Sequence, residues 1–225
     1  MKRTKLKDRT LPTYSKGEEI FNMTSHIVGG GLGVITLILC IIISIIHKNI
    51  YGLVSGIIFG MSMIILYTMS SLYHGLSPKK DTAKKVMQIL DHDCVFILIA
   101  GSYTPFALCS FREYDAALGW GLFAIIWGIS ALAITLNSID LKRYRVFSMI
   151  CNIALGWCII FRADVLPITI GWAGTILLLF GGIFYTVGAI LYGVGRKKKW
   201  MHSIFHLFIL IANILHAICI LAFVL

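Results

Sequence analysis

The sequence predicts an all-α protein built as a bundle of seven transmembrane helices. Of its 225 residues, 58% are hydrophobic and only 13% are charged, whereas about a quarter of the residues in a soluble domain are charged. Its apolar runs have the length of about 20 residues that a helix needs to cross a bilayer. The alternation in segments of about 10 residues that marks a membrane β-barrel is absent from the sequence. We therefore expect a multi-pass protein of the cell membrane.

The chain divides into two predicted parts. Residues 1–23 are expected to form a cytoplasmic N-terminal segment, and residues 24–225 a single seven-helix transmembrane domain. The loops between the predicted helices are short, so consecutive helices should be antiparallel neighbours. The seven spans are expected at 24–46, 51–73, 90–110, 116–137, 146–161, 167–192 and 202–224.

The basic residues predict the orientation of this bundle. Seventeen of the 20 Lys and Arg residues lie in the N-terminal segment and in every second loop, and the remaining loops hold only Lys48, Arg112 and Arg162. By the positive-inside rule, the N-terminus is cytoplasmic and the C-terminus external. Basic residues beside a membrane attract anionic lipid head groups. The net charge of +10 therefore indicates membrane lipids as partners and no nucleic acid.

Small residues in the spans have a packing interpretation. Gly29 and Gly33 recur at a spacing of four on the first span, and Gly52, Gly56 and Gly60 do so on the second. Such faces let two helices approach closely in lipid. We interpret them as contacts within this chain, with contact between two copies as the alternative. The six cysteines lie in or beside apolar spans and form no Cys-x-x-Cys pair. We therefore interpret them as small buried hydrophobic residues.

Four ionisable side chains are expected at one depth near the cytoplasmic ends of three spans. His202 and His206 are four residues apart and share one face of the last span. His74 and Asp91 lie near the cytoplasmic ends of the second and third spans, roughly 7–9 Å into the membrane by helical rise. Ionisable groups inside a bilayer cost free energy, so they are functional candidates. Three imidazoles and a carboxylate at one level fit a zinc site with an open coordination position.

Other polar residues near this level have simpler interpretations. Asp91, His92 and Asp93 point in different directions on a helix, so only one or two of them can face the site. If Asp91 does, Asp93 needs another partner, such as a histidine or a buried hydroxyl on a neighbouring helix. We interpret His26, Glu18 and Glu19 as interfacial residues, with support of the metal ligands as the alternative.

Two further residues have expected roles. His216 lies about 15 Å beyond His206 along the last span, too far to share its site, and is expected to be a hydrogen-bonded packing residue. Ser70 lies one turn before His74 and either bonds to its own helix or orients a water or an oxyanion.

Four motifs in order along the chain carry a family resemblance. Together they resemble the hemolysin III family, which is related to the progestin and adipoQ receptors and, more distantly, to the alkaline ceramidases. The resemblance implies that His74, His202 and His206 are zinc ligands, that Asp91 holds the zinc-bound water, and that Ser70 is a neighbouring polar group. The motifs are Ser70-Ser71-Leu72-Tyr73-His74-Gly75, Leu90-Asp91-His92, Ala100-Gly101-Ser102-Tyr103-Thr104-Pro105-Phe106 and His202-x-x-x-His206.

Three neutral histidines around zinc leave a position for water, whose pKa then falls towards neutrality. A carboxylate beside that position can act as general base. We therefore expect a zinc-dependent intramembrane lipid hydrolase, acting on an amide or an ester, with Asp91 and Ser70 as its catalytic residues. A pore-forming hemolysin and a membrane receptor with structural zinc are the alternatives. The short outer loops argue against a receptor with a large external ligand surface.

Overall fold

The computed structural model describes residues 3–77, 79–195 and 198–225, and the regular structure in these ranges is all helical. After the helix Asp81–Pro105, the chain continues through a π-helical segment, Phe106–Phe111, and the single turn α4, Arg112–Tyr114. Short 3-10 helices cover Leu6–Asp8 and Cys158–Arg162. The long helices are α1 (Lys16–Ile46), α2 (Ile50–Gly75), α3 (Asp81–Pro105), α5 (Ala116–Trp157), α6 (Leu166–Gly195) and α7 (Met201–Phe223).

Six helices in the described ranges are long and apolar enough to cross a membrane, where the sequence predicts seven spans. The difference lies in α5, which together with the 3-10 helix after it contains the predicted fourth and fifth spans. Asp140 has non-helical backbone angles (φ −159°, ψ 88°) in the middle of α5. Ser148 donates a hydrogen bond to Asn137, although a continuous helix would place these residues about 16 Å apart. The chain therefore turns back at Asp140, whose carboxylate accepts the N–H of Arg143 at 3.1 Å.

The first helix begins earlier than the predicted span at residue 24. Ser15 and Glu18 form a capping box at its start: the Ser15 hydroxyl accepts from the Glu18 N–H, and the Glu18 carboxylate accepts from the Ser15 N–H. This arrangement satisfies two backbone N–H groups, those of Ser15 and Glu18, which would otherwise lack an acceptor at the helix N-terminus. The predicted N-terminal segment therefore supplies the first two turns of α1.

The helices contact one another in the order α6, α7, α1, α2, α3 and α5. Glycines bring α1 and α2 together, as expected for contacts within the chain. A Cβ atom at Gly29 would overlap the ring of Tyr67, and one at Gly56 would lie 2.7 Å from the Cβ atom of Cys40. Both approaches are closer than side chains tolerate, so these glycines set the distance between the two helices.

Buried hydrogen bonds join α2, α6 and α7. Asn213 on α7 donates to the Tyr67 hydroxyl at 2.7 Å and accepts from the Tyr185 hydroxyl at 2.8 Å. His216 Nε2 lies 3.3 Å from the Leu178 carbonyl oxygen, which confirms its expected packing role. All six cysteines are free and at least partly buried. These hydrogen bonds tie α2 and α6 to α7 through polar side chains that are shielded from lipid.

Candidate metal centre

Three histidines from two helices meet at one point. Nε2 of His202 lies 3.4 Å from Nε2 of His74 and 3.1 Å from Nε2 of His206. One ring nitrogen from each of the three lies within 4.8 Å of the others, and all three side chains are buried. The four-residue spacing places His202 and His206 on one face of α7. Because α7 packs against α1, and α1 packs against α2, this face meets His74 on α2.

The spacing of these nitrogens suits a tetrahedral metal ion. Zinc binds histidine nitrogen at about 2.0–2.1 Å, so two tetrahedral ligand atoms lie about 3.3 Å apart. The two Nε2 separations, 3.4 and 3.1 Å, agree with that value. Among the described residues, the cluster consists of these three histidines, without a fourth His, Cys, Asp or Glu ligand. Three protein ligands leave one position of a tetrahedral ion open.

A carboxylate from α1 orients one of the three rings. Oε2 of Glu19 lies 2.6 Å from Nδ1 of His74. Because a carboxylate accepts hydrogen bonds, Nδ1 carries the proton and Nε2 presents its lone pair to the cluster. Lys84 from α3 holds the other Glu19 oxygen at 2.5 Å and also donates to the Leu76 carbonyl at 3.0 Å. Glu19 therefore supports His74, which corrects its interpretation as a plain interfacial residue.

Aromatic rings cover the cluster on two sides. The ring of His26 stacks on that of His206, with centroids 3.8 Å apart and an interplanar angle of 16°. The ring of Tyr14 stacks on that of His202 at 4.9 Å and 22°. Burial raises the pKa of Tyr14 above its ordinary range, so the phenol stays neutral beside the histidines. His26 is thus a packing partner of a candidate ligand rather than an interfacial residue.

Asp91 and Ser70 share a cavity with two of the three histidines, His202 and His206. A cavity of about 410 Å³ lies among α2, α3, α5, α6 and α7, and its wall includes Asp91, Ser70, His202 and His206. Asp91 is not one of the three clustered ligands. The Ser70 hydroxyl is buried and has no hydrogen-bond partner in the described part of the protein, so it does not bond back to its own helix. Most of the remaining wall is apolar.

The neighbours of Asp91 on α3 point elsewhere. His92 uses both ring nitrogens outside the cluster: Nδ1 lies 2.8 Å from the Gln88 carbonyl and Nε2 lies 3.0 Å from the Tyr192 hydroxyl. Asp93 is buried and accepts from the Ser138 hydroxyl on α5 at 2.9 Å. Asp93 therefore finds a hydroxyl on a neighbouring helix as expected, but that hydroxyl belongs to an exposed residue and not to a buried one. Asp91 and His92 both lie on the cavity wall, and the Asp91 carboxylate is 3.7 Å from Nδ1 of His92.

Sequence reasoning missed the surroundings of the cluster more than the cluster itself. A usable signal was present on α1, where Glu18, Asn22 and His26 recur at a spacing of four and are all buried. Polar residues on one face of an apolar helix indicate a face turned towards the bundle interior. No comparable signal marks Tyr14, which precedes the helix.

Comparison with known proteins gives the family. Residues 14–217, which include the whole cluster, match the family described as "Haemolysin-III related". The chain is 38% identical over 212 residues to "Hemolysin-3" of Bacillus cereus, with 92% of each chain covered. It is 35% identical over 193 residues to "Hemolysin-3 homolog" of Bacillus subtilis (strain 168), covering 86% of this chain and 88% of the relative.

The chain is also similar, at lower identity, to an animal protein. The chain is 24% identical over 163 residues to human "Monocyte to macrophage differentiation factor", covering 71% of this chain and 66% of the relative. The two bacterial relatives match nearly the full bundle at well above 30% identity. On these matches and its apolar helices, the chain belongs to the hemolysin III family of multi-pass cell-membrane proteins.

Proposed function

We propose that this protein is a zinc-dependent hydrolase that cleaves a lipid amide or ester inside the membrane. The observation that carries the proposal is the meeting of three histidine nitrogens, where two of the histidines, His202 and His206, line a largely apolar cavity that also holds Asp91 and Ser70. A structural zinc site is closed by four protein ligands, whereas a catalytic site keeps a position open. The three-ligand cluster fits the second class.

Each residue of the site has a role in this proposal. His74, His202 and His206 hold the zinc ion, and Glu19 keeps His74 in the tautomer that can bind metal. Bound zinc lowers the pKa of water towards neutrality and polarises a carbonyl group. Asp91 lies on the cavity wall without being a ligand, so it can take the proton of the attacking water. The Ser70 hydroxyl has no other partner in the described part of the chain and can donate to the developing oxyanion.

The reaction is an ordinary hydrolysis. The water oxygen bonds to the carbonyl carbon as Asp91 accepts one water proton. The bond from that carbon to the amide nitrogen, or to the ester oxygen, then breaks, and the proton held by Asp91 passes to the leaving group. The products are a fatty acid and an amine or an alcohol. The cavity admits the acyl chain because its wall is mostly apolar.

The proposal includes a seven-span topology with a cytoplasmic N-terminus. The reversal at Asp140 supports separate crossings by the two parts of α5. At 42 residues, an unbroken α5 would be about 63 Å long, twice the thickness of a hydrocarbon core. An odd number of spans puts the two termini on opposite sides. The distribution of basic residues then supports a metal centre close to the cytoplasmic face.

Product analysis tests the hydrolase. The purified protein is incubated with a panel of lipid amides and esters, and the released fatty acids are measured by mass spectrometry. Asp91→Asn should lower turnover by about 10²–10⁴, the usual contribution of a positioned base, with a modest loss of zinc affinity. Asp93→Asn is the matched control, since Asp93 binds Ser138 instead. If zinc content and turnover are both unchanged in Asp91→Asn, the hydrolase assignment is wrong.

Membrane lysis is the second candidate function, and it rests on the name of the Bacillus cereus relative, "Hemolysin-3". Lysis and hydrolysis can be separated with one variant. If lysis of erythrocytes by the purified protein is as fast for His74→Ala as for the unaltered protein, lysis does not depend on the metal centre. If both lysis and fatty-acid release are lost together, lysis follows from the hydrolase.

A further inference from the structure

An unpaired arginine lies on the wall of the cavity that holds the metal centre. Arg145 is exposed and is part of the same wall as Asp91 and His202, so it lies at the rim of the cavity. It follows Asp140 by five residues, on the part of α5 that begins where the chain turns back. Within the described ranges, the Arg145 guanidinium makes no hydrogen bond, and no carboxylate lies within 4 Å of it, Asp91 included.

A second polar group extends this wall. Asn152 follows Arg145 by two helical turns and lines the same cavity, about 10 Å further along the helix. Its side-chain oxygen is buried and accepts no hydrogen bond in the described part of the chain. Ser148, between them on the same face, is already bonded to Asn137. The cavity wall therefore has a row of polar residues on α5, and the unpaired guanidinium of Arg145 lies at the end of this row nearest the rim.

We propose that Arg145 binds a negatively charged head group on the lipid that this cavity accepts. The inference rests on the proposed function and narrows its substrate to an acyl amide or ester whose head group carries a carboxylate or a phosphate. A guanidinium presents a fork of N–H donors that matches the two oxygens of such a group. A charge beside an apolar wall favours a partner of opposite charge, because the medium there screens less than bulk water.

In this binding mode the anionic head group lies apart from the three histidines. The acyl chain lies in the apolar part of the cavity and the scissile bond at the histidines. The head group then reaches the rim, where Arg145 is exposed and Asp91 forms no ion pair with it. A neutral head group would leave the guanidinium without a partner, so the cavity should discriminate between lipids of equal chain length by charge.

A binding experiment tests the proposal with two lipid analogues that cannot be hydrolysed. (Dodecylthio)acetate and 2-(dodecylthio)ethanol have the same chain, carry a thioether in place of the amide, and differ in the charge of the head group. Their dissociation constants are measured with the purified protein in a neutral detergent by fluorescence quenching. Trp157, which lines the cavity, provides the signal, and Trp157→Phe verifies that the quenching arises there.

The unaltered protein should bind the anionic analogue more tightly than the neutral one. Arg145→Gln should weaken binding of the anionic analogue by about 10- to 100-fold, as loss of charge-assisted hydrogen bonds does, and leave the neutral analogue unchanged. Arg143→Gln is the matched control. It removes the same charge two residues away, and Arg143 is not part of the cavity wall.

Three results would overturn the proposal. The first is equal affinity of the unaltered protein for the two analogues. The second is an equal loss in Arg145→Gln and Arg143→Gln, which would show a general effect of surface charge. The third is a loss in Arg145→Gln that is as large for the neutral analogue as for the anionic one, which would show that the substitution disturbs the cavity and not a charge contact. Because neither analogue can be cleaved, the result does not depend on whether the protein is a hydrolase.

Discussion

Glu19 Oε2 lies 2.6 Å from His74 Nδ1, so a carboxylate on α1 orients an imidazole on α2. The same carboxylate is held by Lys84 on α3. Three helices thus determine the direction of one candidate ligand. Partners of this kind fix the tautomer and the basicity of a metal-bound histidine. Removal of the Glu19 charge should therefore affect the metal without removing any ligand.

Glu19→Gln should lower zinc affinity by about 10–100-fold, the usual effect of losing a hydrogen-bond partner of a ligand. Competition with a chelator of known affinity measures this change. Glu18→Gln is the control, because Glu18 contacts Ser15 and the Trp200 N–H and no histidine in the described part of the chain. Equal affinities for Glu19→Gln and the unaltered protein would show that Glu19 does not support the site.

The purified protein should contain about one equivalent of zinc, as expected for a single three-histidine site. His74→Ala and His202→Ala should each lose most of it, measured by elemental analysis. His92→Ala should retain it, since both nitrogens of His92 bond elsewhere. Full zinc retention in His74→Ala and His202→Ala would contradict the assignment of the ligands.

Reporter fusions at the two ends should place the N-terminus in the cytoplasm and the C-terminus outside. The reason is the concentration of basic residues in alternate loops, combined with the reversal of the chain at Asp140. A third fusion, after Asp140, should lie in the cytoplasm. If both termini report the same side, the two parts of α5 do not cross the membrane separately.

Gly29→Ala should destabilise the bundle by about 1–3 kcal/mol, the cost of overpacking a close helix contact. The added methyl group would overlap the Tyr67 ring. Gly31→Ala is the control, because a Cβ atom there meets nothing within 4 Å and alanine favours helix. Thermal unfolding in detergent compares the two variants. Equal unfolding temperatures would mean that the α1–α2 contact can widen without cost.

Much of the site was predictable because depth in a membrane is a one-dimensional property. The distance of His74, His202 and His206 from the ends of their apolar runs depends on helical rise alone. The sequence could therefore indicate that they share a level, and the spacing of four could indicate that two of them share a face. The structure brings these three residues together.

The sequence by itself determined the helical membrane fold and the family resemblance, and it predicted a shared depth for the polar residues. These follow from composition, motif order and periodicity, which are local properties. Only the tertiary structure decided which groups touch: Glu19 with His74, the ring of Tyr14 with that of His202, and Ser148 with Asn137 across the turn at Asp140. Such contacts depend on how each helix is rotated about its axis and where the chain reverses. Packing between distant segments sets both, so no local pattern predicts them.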